Sequence, residues 1–262
     1  MTQTLKNRSA AERRSPFAKA MLICVGIALF LGFMALGSWQ VQRRAWKLDL
    51  IARVEQRVHA APVAVPAPGL WPQIDAAGYE YLPVRVRGLW LEKQSVLTKA
   101  LTEDGAGFWL MTPLQLDDGT QILVNRGFTP EKLRTTWLQR IDAARPATEP
   151  MTVIGLMRMS EPGGGFLRHN DAAADQWFSR DVAAIAQSQG LSRAAPYFID
   201  LGVPAGNPAH ADSAPATAEL RPGMTVIRFS NSHLVYALTW YGLAAMVVVA
   251  AWLVRRHDRA KA

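Results

Sequence analysis

The sequence has one cysteine in 262 residues, and Cys24 lies inside a long apolar run. The rest of the chain therefore has no thiol for a disulfide, a thiolate metal site or a nucleophile. No G-x-S-x-G, GxGxxG, P-loop, HExxH or CxxC motif occurs, so hydrolase, nucleotide-binding and common zinc functions have no support. Five histidines are too scattered for a metal-ligand spacing: His59, His169, His210, His233 and His257. These absences predict a protein that is not an enzyme.

The central part of the chain lacks an excess of positive charge, although the whole chain carries a net charge of +8. The excess lies near the two ends, in 1–47 and in 255–262, and the stretch between them is close to neutral. A basic patch on the folded domain would be the footprint of nucleic-acid binding. The distribution therefore predicts that this protein does not bind nucleic acid.

Two uncharged apolar runs are long enough to cross a membrane as helices, at 20–39 and 234–254. Each spans about 30 Å as an α-helix, which matches the bilayer core. A cleaved signal peptide is the alternative for the first run. Its length, and its ending at Trp39 and Arg43, favour an uncleaved anchor.

The charges beside the two runs predict which way the chain crosses the membrane. Both ends must lie on the same side, and both are basic, whereas a long loop translocates largely regardless of its charge. Arg43, Arg44 and Lys47 lie just beyond the first run and weaken the preference. We expect cytoplasmic segments at 1–19 and 255–262 and a periplasmic domain at 40–233.

The segment between the two runs reads as short strands with few helices. Apolar spacing predicts a helical extension at about 41–60, and an Ala/Pro/Gly-rich stretch predicts a flexible loop at about 202–222. Helices are expected at 130–141 and 180–189. Strands are expected at 81–90, 94–99, 108–116, 121–125, 151–159, 196–201 and 224–230. The predicted fold is a membrane protein with two transmembrane α-helices flanking one antiparallel β-rich (α+β) extracytoplasmic domain.

Several local features of this domain are predicted from single residues. Residues 117–119 (Asp-Asp-Gly) predict the turn of a hairpin over 108–126. Pro130 suits the first position of a helix, and Asp181 suits the first turn of the next one. Arg126, followed by Gly127, is expected to supply a turn and an ion pair with an acidic neighbour.

One histidine has a position that favours a cofactor role. His233 immediately precedes the second apolar run, and on a helix Tyr236 and Trp240 would share its face. An imidazole at the outer membrane boundary can be an axial ligand of a haem lying in the interface. Alternatively, the histidine only caps or anchors the helix within an aromatic belt, with Asn231 or Ser232 as the N-cap.

The outer end of the first run carries a corresponding stripe of Trp39, Arg43 and Trp46. If the two helices pack together, Arg43 could meet an anionic group near His233, and the alternative is contact with a lipid headgroup. A small-residue pair four positions apart in the first run, Ala28 and Gly32, offers a surface for such packing.

In their order along the chain, these elements resemble the SURF1 family, membrane proteins that assist assembly of haem-copper cytochrome c oxidase. The resemblance covers 36–245. Its most specific blocks are Val-Asn-Arg-Gly-Phe at 124–128 and the run from His233 to Leu243. The other segments that carry it are 36–40 with Arg43 and 46–47, 83–88, 107–114, 122–123, Phe166, Asn170, Trp177, 180–181, 197–200 and Asn231.

The resemblance implies a function for this chain. For bacterial members it implies a protein of the cell inner membrane that binds haem a and delivers it to oxidase subunit I. His233 corresponds to the family's proposed haem ligand, and Trp39, Arg43, Tyr236 and Trp240 are the cofactor-binding residues expected around it. Oxidase subunit I and membrane lipid are the expected partners, with haem a synthase as a further candidate. The alternative is a structural chaperone for subunit I that holds no haem.

This chain departs from the family pattern at two places. His169 stands where a proline-containing turn is more usual, which makes it a rival haem ligand, with an exposed loop histidine as the alternative. Residues 221–224 (Arg-Pro-Gly-Met), before the last expected strand, also differ from the usual proline and Gly-Gly turn.

Overall fold

The computed structural model describes residues 16–165, 168–212, 219–225 and 231–260. The chain divides into two compact units. The two ends of the chain, Met1–Ile51 and Phe229–Ala262, form one unit, and Ala52–Arg228 forms the other. We call them the helical unit and the barrel unit.

The described residues form five α-helices and seven strands. The α-helices are α1 (Pro16–Val58), α2 (Ala76–Tyr79), α3 (Arg134–Asp142), α4 (Val182–Ser188) and α5 (His233–Ala260). The strands are β1 (Val63–Ala64), β2 (Pro83–Trp90), β3 (Val96–Thr102), β4 (Gly105–Gln115), β5 (Gln121–Pro130), β6 (Met151–Met159) and β7 (Ala194–Leu201). Short 3-10 helices are present at Pro68–Gln73, Glu92–Gln94, Glu131–Leu133 and His210–Asp212.

Two helices in the described chain, α1 and α5, are long and apolar enough to cross a membrane. Most of their large apolar side chains are exposed, including Ile23 at 62% and Val235 at 64%. A core helix of a soluble protein would bury such side chains. The two helices flank the β-rich domain in the sequence, as predicted, and their exposed apolar surface is consistent with a membrane protein.

Within the helical unit, α1 and α5 pack against each other in an antiparallel arrangement. Phe33 stacks on Trp240, with ring centroids 5.8 Å apart, and Gln40, further along α1, meets His233, earlier on α5. The less exposed positions of α1 recur every three or four residues: Gly26, Phe30, Phe33, Gly37 and Gln40. This spacing is the one that keeps one side of a helix facing its partner.

Small residues allow this close packing, but they differ from the pair expected from the sequence. Ala28 and Gly32 are exposed, and a Cβ placed on Gly32 would meet nothing within 4 Å. Instead, Gly37 is buried, and a Cβ there would lie 2.6 Å from the ring of Tyr241. The expected role of Ala28 and Gly32 in packing α1 against α5 is therefore wrong, and Gly37 takes it.

In the barrel unit, five strands form a closed ring in the order β2, β6, β7, β5, β4. The ring closes where β2 pairs with β4, through Leu89 with Gln115 and Trp90 with Leu114. Closure removes the exposed edges of these strands, which places the chain among small β-barrels. The strands β1 and β3 extend the sheet beside β2 and β4.

The sheet is mixed, which corrects the antiparallel prediction. β5 pairs with β7 in parallel, and β1 pairs with β2 in parallel. Parallel neighbours need a long crossover connection, and the chain between β5 and β7 supplies it by passing through α3, β6 and α4. The hairpin predicted over 108–126 is confirmed as β4 and β5, which pair antiparallel.

The barrel interior is filled by apolar side chains that alternate along the strands. Its buried members are Val84, Val86, Leu114, Ile122, Val124, Val153, Met157, Ala195, Tyr197 and Ile199. A second cluster lies beneath α4 and includes Trp177 and Phe198, and a third includes Phe108 and packs against side chains of α3. This burial stabilises a domain without a disulfide.

Three local predictions in the barrel unit are wrong in detail. Pro130 is the last residue of β5, because the ladder with β4 continues to a Gly107–Pro130 pair, and α3 begins only at Arg134. Asp181 precedes α4 as its N-cap, and its carboxylate accepts a hydrogen bond from the Ala184 N–H. Gly127 is not in a turn but inside β5, where its positive φ of 139° admits the Arg221 backbone.

The end of α1 belongs to the barrel unit and is fixed there by the chain after β7. Val54 and Val58 are buried, and the side-chain amide of Asn207 donates to the carbonyls of Val58 and Ala60. The helix predicted after the first apolar run is thus continuous with α1 to Val58. Asn207 is itself buried, so the first part of the loop expected to be flexible at 202–222 is packed.

Some predictions fall on residues outside the described ranges. They concern residues 1–15 of the cytoplasmic segment predicted at 1–19 and residues 213–218 of the loop predicted at 202–222. They also concern residues 226–230 of the last strand, predicted at 224–230, and Phe166. Met224 and Thr225, the described part of that last strand, are not in a strand.

Candidate functional site

The first residue of α5, His233, is held by a side chain of α1. Its Nδ1 lies 2.7 Å from Oε1 of Gln40, and both residues are partly buried. Nε2 of His233 makes no hydrogen bond to any residue that the structure describes. An amide oxygen accepts, so Nδ1 carries the proton and Nε2 keeps its lone pair. Among the described residues nothing pairs with Nε2, and a nitrogen with a lone pair can bind a metal.

Aromatic and polar contacts fix the two helices next to this histidine. The stacked rings of Phe33 and Trp240 are nearly parallel, with an interplanar angle of 24°. The hydroxyls of Ser38 and Tyr241 lie 3.2 Å apart. Both contacts lie before Gln40 on α1 and after His233 on α5, so they pack the two helices together on one side of the histidine.

The structure gives the predicted cofactor-binding residues two kinds of environment. His233 and Trp240 are partly buried against α1. Tyr236 and Trp39 are exposed, at 55% and 51%. Arg43 is also exposed, and its guanidinium lies 4.9 Å from the centre of the Trp46 ring. The helix contact therefore brings His233 and Trp240 to α1 and leaves the other three on the outer surface of the helical unit.

Of the two residues expected as the N-cap of α5, Ser232 takes that position. It directly precedes His233, and its carbonyl accepts hydrogen bonds from the N–H groups of Val235 and Tyr236. Oδ1 of Asn231 is buried and accepts no hydrogen bond from the described residues. Buried acceptors are usually paired. An unpaired acceptor two residues from His233 is a further polar group available to a ligand.

Gln40 is a site residue that sequence reasoning missed. It follows Trp39 at the end of the first apolar run. With Phe33 and Gly37 it lies on the side of α1 that contacts α5, at three- and four-residue spacing. A polar residue on the helix-packing stripe was the available signal. The polar residue stands out only when the side of α1 that faces α5 is known.

The barrel unit contains a second polar cluster, which we call the Asp200 hub. The buried carboxylate of Asp200 accepts from four side chains: Asn125 Nδ2 at 2.8 Å, Arg158 Nη1 at 2.8 Å, Thr225 Oγ1 at 2.8 Å and Arg180 Nη1 at 3.2 Å. A cavity of about 140 Å³ lies beside it. All four donors reach the end of β7 from different parts of the chain.

Each arginine of the hub has a second acidic partner. Arg158 donates to Glu80, and Arg180 donates to Glu161. Burial lowers the pKa of the Arg158 guanidinium, but the neighbouring carboxylates outweigh this effect, so the pKa is raised overall. A fully paired cluster of this kind fixes strands to one another and offers a ligand few free donors. We interpret the hub as structural.

Two other predicted residues have simple roles in the barrel unit. Arg126 makes an ion pair with Glu92, with Nη1 2.8 Å from both carboxylate oxygens, which confirms the expected acidic partner. His169, the rival ligand, is exposed, with Nδ1 3.1 Å from the carbonyl oxygen of Gly163. Among the described residues, no group of three or more His, Cys, Asp or Glu side chains could hold a metal ion.

Two long apolar helices and a small closed barrel define the class of this molecule as a β-barrel protein flanked by two candidate membrane helices. Comparison with protein families identifies which one. The model of the SURF1 family matches residues 27–245, so the chain belongs to the SURF1 family. Proteins of this family are assembly factors, and membership gives the chain a role in cytochrome c oxidase assembly.

Individual relatives resemble the chain over most of its length. Surfeit locus protein 1 of Homo sapiens is 32% identical over 248 residues, covering 87% of this chain and 74% of the human protein. The protein of the same name from Mus musculus is 31% identical, covering 93% and 78%. A SURF1-like protein of Monosiga brevicollis is 30% identical, covering 97% and 93%. The similarity thus includes both apolar helices and the barrel.

Proposed function

We propose that this protein binds haem a through His233 and delivers it to subunit I of cytochrome c oxidase. The observation that carries the proposal is the Nδ1 contact of His233 with Gln40, which leaves Nε2 free. Histidine is a common axial ligand of haem iron. A ligating histidine normally donates its other N–H to an acceptor that orients the ring, as it does here.

The surroundings of His233 suit a flat, largely apolar group at a membrane boundary. Trp240 lies about two helical turns further along α5, and the exposed Tyr236 and Trp39 supply aromatic surface on the helical unit. The guanidinium of Arg43 could pair with a propionate, and the unpaired Asn231 oxygen could accept a hydrogen bond. A bound haem would supply the iron that His233 ligates and a carboxylate for Arg43, and the chain would hold and orient it.

Delivery also requires a defined place in the membrane. We propose that α1 and α5 cross the inner membrane, with both termini in the cytoplasm and the barrel unit in the periplasm. A reporter active only after export should be silent when fused after Ala262. The same reporter inserted at the exposed β3–β4 turn, between Glu103 and Asp104, should be active. An exported reporter at Ala262 would contradict this topology.

Haem delivery is tested in cells that lack the protein and are complemented with variants. Wild-type protein and His169→Ala should restore the ratio of haem a to subunit I polypeptide in purified oxidase. His233→Ala should leave that ratio low, because the bound group has lost its ligand. The exposed loop residue His169 is the matched control. A normal haem ratio with His233→Ala would contradict haem delivery through this residue.

A second candidate function is supported by the exposed tryptophans of α1. Trp39 and Trp46 are 51% and 52% exposed, and such aromatic surface can bind partner helices. A structural chaperone of this kind would stabilise subunit I without holding haem. In the same experiment, cells lacking it would contain less oxidase but a normal haem ratio in the oxidase that remains, and this would favour the second function over the first.

A further inference from the structure

A hydrogen bond between α1 and α5 links the side chains of Gln40 and His233. Gln40 occupies a contact position of α1, in line with Gly37 and Phe33. The distance of 2.7 Å from Oε1 to Nδ1 lies within the range of an N–H···O hydrogen bond. The two positions before Gln40 among these α1 contact residues, a glycine and an aromatic residue, carry no side-chain acceptor.

We infer that Gln40 is a positioning residue that fixes the tautomer of His233. With Nδ1 protonated and bound to Oε1, Nε2 is the only ligand atom, and the ring cannot rotate without breaking the bond. This inference rests on the proposed function, because the ligand it prepares is the haem iron. It adds a role for a residue of the first helix to a site carried by the second.

The chemistry of the acceptor suits a protein that releases its cargo. A carboxylate bound to Nδ1–H would make the imidazole a more basic ligand and hold the iron more firmly. An amide oxygen is neutral and polarises the ring less. Gln40 therefore orients the ligand and keeps the iron–nitrogen bond easier to break than a carboxylate would.

The tautomer can be measured without any haem. In protein labelled with ¹⁵N-histidine and purified in detergent, the signals of His233 are identified by their loss in His233→Ala. We expect a protonated Nδ1 and an unprotonated Nε2 in the wild-type protein and in Gln40→Glu. Gln40→Leu should populate the Nε2–H tautomer. An Nε2–H tautomer in the wild-type protein would overturn the inference, because the amide would then be donating its N–H.

Haem binding gives a second readout. Gln40→Leu should weaken haem a binding by about 10- to 100-fold, which is the usual effect of losing a partner of a metal ligand. Gln40→Glu should restore binding, lower the reduction potential of the bound haem and slow its release. Ser38→Ala is the matched control, because it removes the neighbouring contact between the helices, with Tyr241, but leaves the histidine partner intact. It should bind haem like the wild-type protein.

The outcomes separate this inference from the proposed function. Suppose that wild-type protein binds haem and His233→Ala does not bind it. If Gln40→Leu then matches the wild type in haem affinity and reduction potential, Gln40 has no positioning role. If wild-type protein binds no haem but shows the expected tautomer, the proposed function fails and the contact stands as a structural one. If Ser38→Ala weakens binding as much as Gln40→Leu, the effect comes from helix packing and the inference is overturned.

Discussion

The two polar clusters of this protein differ in how completely their groups are paired. In the barrel unit, the carboxylate of Asp200 accepts four hydrogen bonds, and both of its arginine partners have a second acidic partner. In the helical unit, His233 has one hydrogen bond, to Gln40, and its second nitrogen is free of described partners. The Asp200 hub is paired internally, whereas His233 keeps one nitrogen without a partner among the described residues.

This difference predicts that the Asp200 hub acts on stability and is consistent with the proposed binding role of His233. A buried charge needs full pairing, because an unpaired one costs several kcal/mol, so the Asp200 hub must be closed if the barrel is to be stable. A ligand atom must keep a lone pair free, so a binding histidine must be open. Removing Asp200 should therefore act on stability, whereas removing His233 should act on binding.

The largest expected effect on stability is that of Asp200→Ala. The substitution removes the shared partner of Arg158 and Arg180, which are both only 14% exposed, and leaves two buried cations with one partner each. We expect the free energy of unfolding of the barrel unit to fall by about 3–5 kcal/mol. Denaturant unfolding of the full chain in detergent, followed by tryptophan fluorescence, measures the loss.

The matched control is Asp212→Ala, since Asp212 pairs with Arg85 on the surface, where both side chains are more than half exposed. A surface pair contributes about 0–1 kcal/mol, so this variant should unfold almost like the wild-type protein. Equal losses in the two variants would mean that the hub is no more important than a surface ion pair.

A smaller effect is expected at the contact between the two helices. Gly37→Leu places a side chain against the ring of Tyr241, and overpacking of this kind costs about 1–3 kcal/mol. Spin labels on cysteines at the exposed positions 39 and 235, in a Cys24→Ser background, should report a wider separation of the helices. Gly32→Leu, at a position with open space, should leave the distance unchanged. A widened distance in both variants would contradict the assigned contact face.

The smallest effect concerns an exposed carboxylate in the β4–β5 turn. The hydroxyl and N–H of Thr120 donate to Asp118 and lower its pKa from 3.8. Because the pKa is lower in the folded state, this stabilisation is present at neutral pH and is lost as the pH falls below about 3.8. The difference in urea midpoint between wild type and Thr120→Val should therefore shrink from pH 7 to pH 3. A difference independent of pH would exclude the carboxylate as its source.

The strands of the barrel could be predicted well, because their apolar residues alternate and turns separate them. Residues 151–159 and the turn at 117–119 are examples, and the strand and the hairpin are both present. The parallel pairing of β5 with β7 could not be predicted, because about 60 residues separate the two strands and local patterns carry no information about such a contact.

Only part of the candidate site could be predicted from the sequence. His233 was singled out because it adjoins an apolar run, and the family resemblance pointed to the same residue. Its partner Gln40 was missed, because which side of α1 faces α5 depends on the packing of Gly37 and Tyr241 rather than on hydropathy. Asp200 was missed as a hub for a similar reason, since its four donors come from separate parts of the chain.

The visible spectrum of detergent-purified protein, made in cells that synthesise haem a, tests the central claim most directly. Wild-type protein should carry haem a, and His233→Ala should lose the spectrum or change its ligand state. Arg43→Ala should keep the ligand state and weaken retention by about 1 kcal/mol, or several-fold, because Arg43 is exposed. A colourless wild-type protein, or an unchanged spectrum in His233→Ala together with a lost one in His169→Ala, would contradict the account.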